Sequence, residues 1–568
     1  MGNKNFNQRN NKEKTVQIIP LGGVGEIGKN MFVVKYGDEM LVLDSGLAFP
    51  EDDMLGVDVV IPDISYLLEN KKKVKGIVLT HGHEDHIGGL PYILPELNVP
   101  IWGTKLTLGM VKAKLAEFPH IKKPKLTEIS TRKKISVSDN LKVEFFRTNH
   151  SIPDSVGVII KTPAGTIVYT SDFKFDQTPV NAMVTDYHQL AKLGKSGVTV
   201  MLSDSTNADA PGFTPSEKEV GESFDDIFRL AEGRIIVATF ASNIHRVQQV
   251  VNSAIKYGRK IAITGKSLLN ITQISRELGY LDIPEKYLVD LSKLKNYRAD
   301  EVTVITTGSQ GEPLSALNRI ANAEHKHLQI VPGDTVIISA SPIPGNEKMV
   351  FRTVDNLFKR GAEVFYHNQS GVHVSGHAAE EEIKMMLNMV RPKYLIPVHG
   401  EYRHMVQHAK IAEKVGIPRQ NVFVVNNGTI MEFSPKKGKV QGKIASGKVM
   451  VDGLGIGDVG NVVLKDRKTL SEDGVVVVVI ALENNFLAAR PEIITRGFVY
   501  VRESEDLLSE AQKIITAYFA DLKKRKKSPD WNVIKNEIRD KMGRLFRENT
   551  GRNPMILPVI IDVNRNDN

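Results

Sequence analysis

Thr80-His81-Gly82-His83-Glu84-Asp85-His86-Ile87-Gly88-Gly89 is the stretch on which the reading of this chain turns. The apolar run before it, residues 75–80, has the length and composition of a strand, so His81 follows on a strand end. His81 and His83, two residues apart in a tight turn, can converge on one ion. Asp85 and His86 are then free to face a second. Four imidazole or carboxylate groups within six residues, with Gly88 and Gly89 letting the backbone turn closely, suit zinc or manganese. The chain has no cysteine. Disulfides and thiolate ligands are therefore excluded, and a metal must sit on His, Asp, Glu or backbone oxygen.

One hexapeptide cannot fill two coordination spheres, so the remaining ligands must come from elsewhere. Short apolar runs at residues 15–20, 31–36, 40–44, 143–147, 157–161, 166–170 and 198–203 read as strands. Their ends carry Asp44, His150, Asp172 and Asp204, and loops on such a scaffold commonly hold functional groups. A carboxylate is the natural bridge between two cations, which gives that role to Asp172. Asp44 reads either as an ordinary turn aspartate or as a group that orients a ligating histidine.

From about residue 215 the pattern changes to helices alternating with strands of parallel type, as in the helix at 217–230 and the strands at 260–264, 302–306 and 335–339. Histidines then return on strand ends at His373, His377 and His399. Groups that need one another chemically thus flank about 150 residues, which predicts an insertion. The expected organisation is a disordered basic tail at 1–14 and a first α/β domain at 15–214 and 366–434. The inserted α/β domain is expected at 215–365, a Lys/Gly-rich linker at 435–450 and a small α+β domain at 451–568. In that last part 461–463 and 475–482 read as strands, 507–527 and 531–547 as helices, and 555–563 as a final strand.

His373 and His377, in His373-Val374-Ser375-Gly376-His377, are suited by type to proton transfer, because imidazole titrates near neutrality. Short polar loops at 240–243, 308–311 and 341–346 can turn backbone N–H groups toward an anion. The basic run at 523–527 reads as a solvated helix end.

Taken together, HxHxDH and the spaced His150, Asp172 and His399 resemble the metallo-β-lactamase superfamily, an αββα sandwich. The insertion and the Asp204, His377 and His399 motifs resemble its β-CASP nuclease branch. Within that branch the match is close to the ribonuclease J family, through LGGVGEIGKN, THGHEDHIGG, TNHSIPDS, TSDFKFD, TFASNIHR, HVSGHA, PVHGEYR and DGLGIGDVGN. No metal position departs from the pattern. The resemblance implies one ion on His81, His83, His150 and Asp172, and a second on Asp85, His86, Asp172 and His399. It implies catalytic roles for His377, His373 and Asp204, with His377 as acid or transition-state stabiliser. Substrate contact is implied for Phe240, Ala241 and Ser242 and for His373, Val374, Ser375, Gly376 and His377, together with a pocket for a 5′-monophosphate. A structural calcium or magnesium at Leu55, Val57 and Asp452 is implied in the same way.

The expected function is a metal-dependent ribonuclease, 5′-to-3′ exonucleolytic and endonucleolytic, acting on single-stranded RNA in maturation and decay. A homodimer or homotetramer is expected, with a paralogue or other RNA-decay proteins as further partners. The net charge of +9 and pI near 9.2 suit a polyanionic partner. No apolar run reaches the roughly 18 residues of a membrane span, and with no secretory signal in view the expectation is cytoplasmic. Two rivals share parts of this pattern. A lactamase or thioester hydrolase has no use for residues 215–365, and an RNA-binding scaffold with a dead site has no need of all seven ligands.

Overall fold

Alternating burial along short β-branched and aromatic runs is what makes the first strands. In Met31–Tyr36 and Glu39–Leu43 successive side chains enter opposite apolar layers. The computed structural model describes residues 14–312, 314–343, 346–366, 370–453, 455–484, 486–499, 504–524 and 530–563. The expected tail at 1–14 falls, but for residue 14, outside them, as do residues 344–345 of one anion loop and 525–527 of the basic run.

Two sheets form the first domain. One has eight strands in the order Gly438–Lys443, Thr429–Phe433, Val16–Gly22, Met31–Tyr36, Glu39–Leu43, Val74–Val78, Ile101–Gly103 and Leu126–Glu128. The other has six, in the order Pro392–Val398, Val198–Asp204, Gly165–Tyr169, Val156–Thr162, Lys142–Arg147 and Ile135–Ser136. Phe32, Val34, Leu41 and Leu43 of the first meet Phe145, Val158, Ile167, Val200 and Ile396 of the second in one fully buried layer. Each such side chain contributes about 1.5–3 kcal/mol by leaving water. Val33, Val42 and Ile77 face Leu67, Ile93 and Leu106 on the outer side of the first sheet. Ile159, Val168 and Met201 face Leu190, Ile383, Met386 and Ala409 on the outer side of the second. Helix, sheet, sheet and helix layers follow.

The segment between the histidine motifs builds its own sheet. Lys260–Thr264, Val302–Thr306, Ile235–Ala238, Thr335–Ile338 and Glu363–Phe365 lie in that order, all parallel. Its strands are interleaved with Glu217–Leu230, Ile244–Lys256, Lys266–Leu278 and Glu347–Lys359. Ser216 starts the first helix with a capping box to Glu219, which satisfies N–H groups the helix itself leaves free.

Two local readings change. The Lys/Gly-rich stretch expected as linker carries the edge strand Gly438–Lys443, antiparallel to Thr429–Phe433. Its half-exposed polar residues hide the pairing in the sequence, because edge strands often carry lysine. The expected strand at 461–463 is instead the start of the helix Asn461–Asp473. Val462 and Val463 favour strand locally, but the helix-forming run from Leu464 to Asp473 and the stop at Gly474 decide the outcome.

By internal contacts the chain divides into Met1–Phe49 with Val59–Val449, and Pro50–Asp58 with Met450–Asn568. In the second unit Val475–Glu483 pairs in parallel with Met555–Asp562 and antiparallel with Glu492–Arg496. Its Val476, Val478 and Ile480 pack on Ile515, Phe519, Ile538 and Phe546 of the helices Glu505–Lys524 and Trp531–Thr550.

Candidate metal centre

The chain turns sharply at three strand ends to bring polar groups together. Asp44, Ser171 and His399 take left-handed φ values of 60°, 55° and 50°, each costing about 1–3 kcal/mol for a side chain that is not glycine. The cost is met by placing Asp44, Asp172 and His399 at one edge of the sandwich, opposite the 81–86 turn.

His81, His83, His150 and Asp172 each present a ligand atom within 4.8 Å of the others, and so do Asp85, His86, Asp172 and His399. Asp172 belongs to both groups. Its Oδ2 is 3.6 Å from His81 Nε2, 3.6 Å from His150 Nε2 and 3.3 Å from His86 Nε2. His83 Nδ1 lies 3.1 Å from both His81 Nε2 and His150 Nε2. His399 Nε2 is 3.0 Å from Asp85 Oδ2. A third group joins Asp172, Asp204, His377 and His399. All seven ligands expected from the sequence thus fall in two groups joined at Asp172.

Neighbours fix the ring orientations. His86 Nδ1 donates to Asp44 Oδ2 at 2.8 Å, and Tyr169 and Thr80 donate to the same carboxylate. Asp44, fully buried, is therefore the orienting group and not a plain turn aspartate. His150 Nδ1 donates to Gly376 O at 2.7 Å. His399 Nδ1 meets Thr206 Oγ1 at 2.8 Å. A Cβ on Gly376 would lie 2.7 Å from the His150 ring, so only glycine permits that approach.

Burial first, then His86 beside His81 and His83 beside His150, pushes these two rings well below their usual range. Burial likewise lowers His83 to about 4. Those three rings are neutral near pH 7, with ring nitrogens converging within 3.1 Å of His83 Nδ1. Burial opposes the ionised carboxylates, yet His86 and His399 hold Asp85 and Asp172 below the usual range. In return, and against burial, Asp172 and its companions raise His86 well above its usual range and His399 to about 10. Asp172 Oδ1 is buried and, among the described residues, accepts no hydrogen bond. Converging imidazoles, packed carboxylate charge and a buried carboxylate oxygen that faces His399 Nδ1 at 3.5 Å without a hydrogen bond are what a divalent cation would satisfy. The donor set fits His/Asp-bound zinc or manganese.

Beside this cluster His377 Nδ1 donates to Asp204 Oδ2 at 2.8 Å. Burial disfavours its charged form, but Asp204 outweighs burial and raises His377. His373 differs. Burial, then the charges of Arg246 and Lys174, lower it to about 3, so it is neutral near pH 7. Phe240, Ala241 and Ser242 form a half-buried turn at the end of Ile235–Ala238, leading into a helix capped by Asn243. Gln310 ties two of the anion loops together, donating to Ser341 O and accepting from Ile343 N.

In the second unit a guanidinium occupies the place between two of the groups expected around a structural cation. Arg467 donates to Leu55 O at 2.8 Å and to the Asp452 carboxylate, while Val57 N bonds to Met54 O.

Several contributors escaped the sequence reading. Asn30 donates to Asp85 O and lies 3.1 Å from His86 Nε2. Asn207 donates to Ser375 Oγ and His377 O, and Thr206 and Tyr169 support His399 and Asp44. Only the hydroxyl and amide types next to motif residues, as in Asp204-Ser205-Thr206-Asn207, offered a signal.

Comparison with known proteins agrees along the whole chain. The family model for the metallo-beta-lactamase superfamily matches residues 24–238, and that for the ribonuclease J beta-CASP domain matches 232–357. The model for the Zn-dependent metallo-hydrolase RNA specificity domain matches 362–425, and the ribonuclease J C-terminal domain matches 462–563. Ribonuclease J2 of Bacillus subtilis (strain 168) is 48% identical over 552 residues, 97% of this chain and 99% of that one. The chain belongs to the ribonuclease J family. Ribonuclease J 2 of Staphylococcus aureus (strain MRSA252) is 44% identical over 554 residues, again 97% of this chain and 99% of that one. A crystal structure of a protein of unknown function from Enterococcus faecalis V583 aligns with a TM-score of 0.54 at 16% identity, covering 75% of this chain and all of that one. That likeness shows fold alone. As a ribonuclease J family member the chain is a metallo-β-lactamase domain with an inserted β-CASP domain and a C-terminal domain. The insertion separates it from lactamase and thioesterase architectures, which was the first rival reading. Among the described residues no helix is long and apolar enough to cross a membrane.

Proposed function

We propose that this chain hydrolyses single-stranded RNA as a two-metal ribonuclease, acting 5′-to-3′ from a 5′-monophosphate end and also endonucleolytically, in RNA maturation and decay. The observation that carries the reading is the sharing of Asp172 between two ligand groups. His81, His83, His150 and Asp172 would hold one cation, and Asp85, His86, Asp172 and His399 the other. Bound there, zinc or manganese would polarise a water and offset the charge that builds on the phosphate oxygens.

The chain's own residues divide the remaining work. His377 gives a proton to the leaving oxygen, while Asp204 accepts the hydrogen bond from its Nδ1–H and fixes the ring. Residues 373–376 and the 240–242 turn receive the nucleotide. Asp85 and His377, with side chains 28% and 18% exposed, mark the solvent side of an otherwise buried cluster. Domain limits at residues 215 and 365, with a tail domain from 451, accord with the separate parallel sheet and with the C-terminal sheet and helices. The enzyme acts in the cytoplasm as a homodimer or homotetramer, with a paralogue or other decay proteins alongside.

The test is incubation of the full chain with end-labelled RNA bearing a 5′-monophosphate or a 5′-triphosphate, with zinc or manganese and with a chelator. Metal-dependent release of mononucleotides, faster from the monophosphate, supports the exonuclease, and internal fragments support the endonuclease. RNA left intact under every metal condition overturns the reading in favour of an RNA-binding scaffold.

A further inference from the structure

The substrate loop at 372–377 is held at its two ends by unrelated devices. At the His377 end, Asp204 accepts from the ring, and Asn207 Nδ2 and Thr214 Oγ1 both donate to His377 O, at 3.1 and 2.6 Å. At the Val372 end the anchor is Arg246, fully buried within the helix Ile244–Lys256. Arg246 Nη1 donates to Val372 O at 3.0 Å and to Ser339 O at 3.2 Å, also reaches the Ser339 hydroxyl, and lies 3.5 Å from His373 Nδ1. Ser339 Oγ in turn donates to Val372 O at 2.6 Å. Glu217, at the start of Glu217–Leu230, fixes the guanidinium from the other side through Nε at 2.7 Å.

This arrangement is costly if stability were its only return. Arg246 Nη2 is buried and, among the described residues, has no acceptor. A desolvated charge with a donor left over is a worse core than an apolar side chain of similar volume. What the guanidinium achieves, and an apolar chain cannot, is to grip the first carbonyl of the substrate loop from a rigid helix.

We propose that Arg246 is a positioning residue that sets the 372–376 backbone against an RNA phosphate, separately from the devices that set His377. The inference rests on the ribonuclease reading above. Loosening the Val372 end therefore weakens binding of the RNA phosphate and leaves proton delivery by His377 in place. Ser339 is the second half of the same grip.

The experiment compares wild type with Arg246→Lys and Ser339→Ala, using the full chain and a 5′-monophosphate RNA. KM and kcat are measured with metal, and RNA affinity by fluorescence anisotropy in chelator, where turnover is absent. Losing one or two hydrogen bonds of a charged donor predicts KM and Kd raised together by about 10- to 100-fold, with kcat within about threefold. A merely structural role gives fewer active molecules, so kcat falls while KM and Kd hold, and that outcome overturns the proposal. So do variants with KM and Kd within twofold of wild type. Should Arg246→Lys fail to fold, Ser339→Ala carries the same prediction, since it removes only a hydroxyl. Wild type that leaves RNA intact sinks the ribonuclease reading itself, whereas active wild type with unmoved variants sinks this inference alone.

Discussion

Replacing His377 with alanine isolates the proton that the account sends to the leaving oxygen. Its side chain is 18% exposed, and among the described residues its ring makes one hydrogen bond, to Asp204 at 2.8 Å. The fold therefore loses little. Phosphate contact through residues 373–376 stays, because Asn207 and Thr214 hold the His377 backbone and not its ring. What disappears is general acid catalysis, worth about 100- to 10,000-fold, or about 2.7–5.4 kcal/mol of barrier. The expected result is a fall of that size in kcat on RNA with Kd within a few-fold. The deciding assay adds a nucleotide 4-nitrophenyl phosphodiester, whose leaving group departs without a proton. On that substrate the loss from His377→Ala shrinks to under about tenfold. An equal loss on both substrates would refute the acid role and leave His377 as a phosphate contact, and near-normal turnover on RNA would refute any catalytic role.

Three further outcomes follow from the structure. His408 is fully buried, and burial lowers it to about 4 from the ordinary 6.5. The unfolded chain then binds the proton more readily, so its stability contribution is complete above pH 6.5 and is lost as pH falls toward 4. At pH 5 the loss is about 2 kcal/mol, and His408→Gln should flatten the fall in unfolding midpoint between pH 7.5 and 5, measured in chelator; parallel curves would contradict this. Gly376→Ala places a methyl 2.7 Å from the His150 ring and should lower metal affinity about 10- to 100-fold, as disturbing a ligand's support does, read by competition with a chromophoric chelator. Removing metal from wild type should lower the unfolding midpoint by several degrees, because packed carboxylates lose their countercharge; an unchanged midpoint would argue against bound cations.

The metal constellation was legible because strand ends announce themselves. A short apolar run followed by His or Asp singles out His81, His150, Asp172, Asp204 and His399, which fall in overlapping groups of candidate ligands. Element type followed the same logic: the parallel strands Lys260–Thr264 and Val302–Thr306 match their periodicity. What stayed hidden depends on long-range partners. Arg246 reads in TFASNIHR as one more charge on an amphipathic helix, and its burial comes from Glu217, Ser339 and Val372, remote in sequence. His373 and His377 are interchangeable by residue type; burial, then the charges of Arg246 and Lys174, lower the first, while Asp204 raises the second. Asn461–Asp473 was misread at its start because two valines outweighed the longer helical run. Pro50–Asp58 belongs to the same unit as Met450–Asn568, a relation that no local pattern encodes.

Metal content of the native chain, by mass spectrometry of the purified protein beside its Asp172→Asn variant, tests the shared carboxylate most directly. Two zinc or manganese ions per wild-type chain, with both sites weakened by that single substitution, is the predicted result. One ion per chain, or a variant that keeps both at wild-type affinity, would contradict a centre in which Asp172 joins the pair.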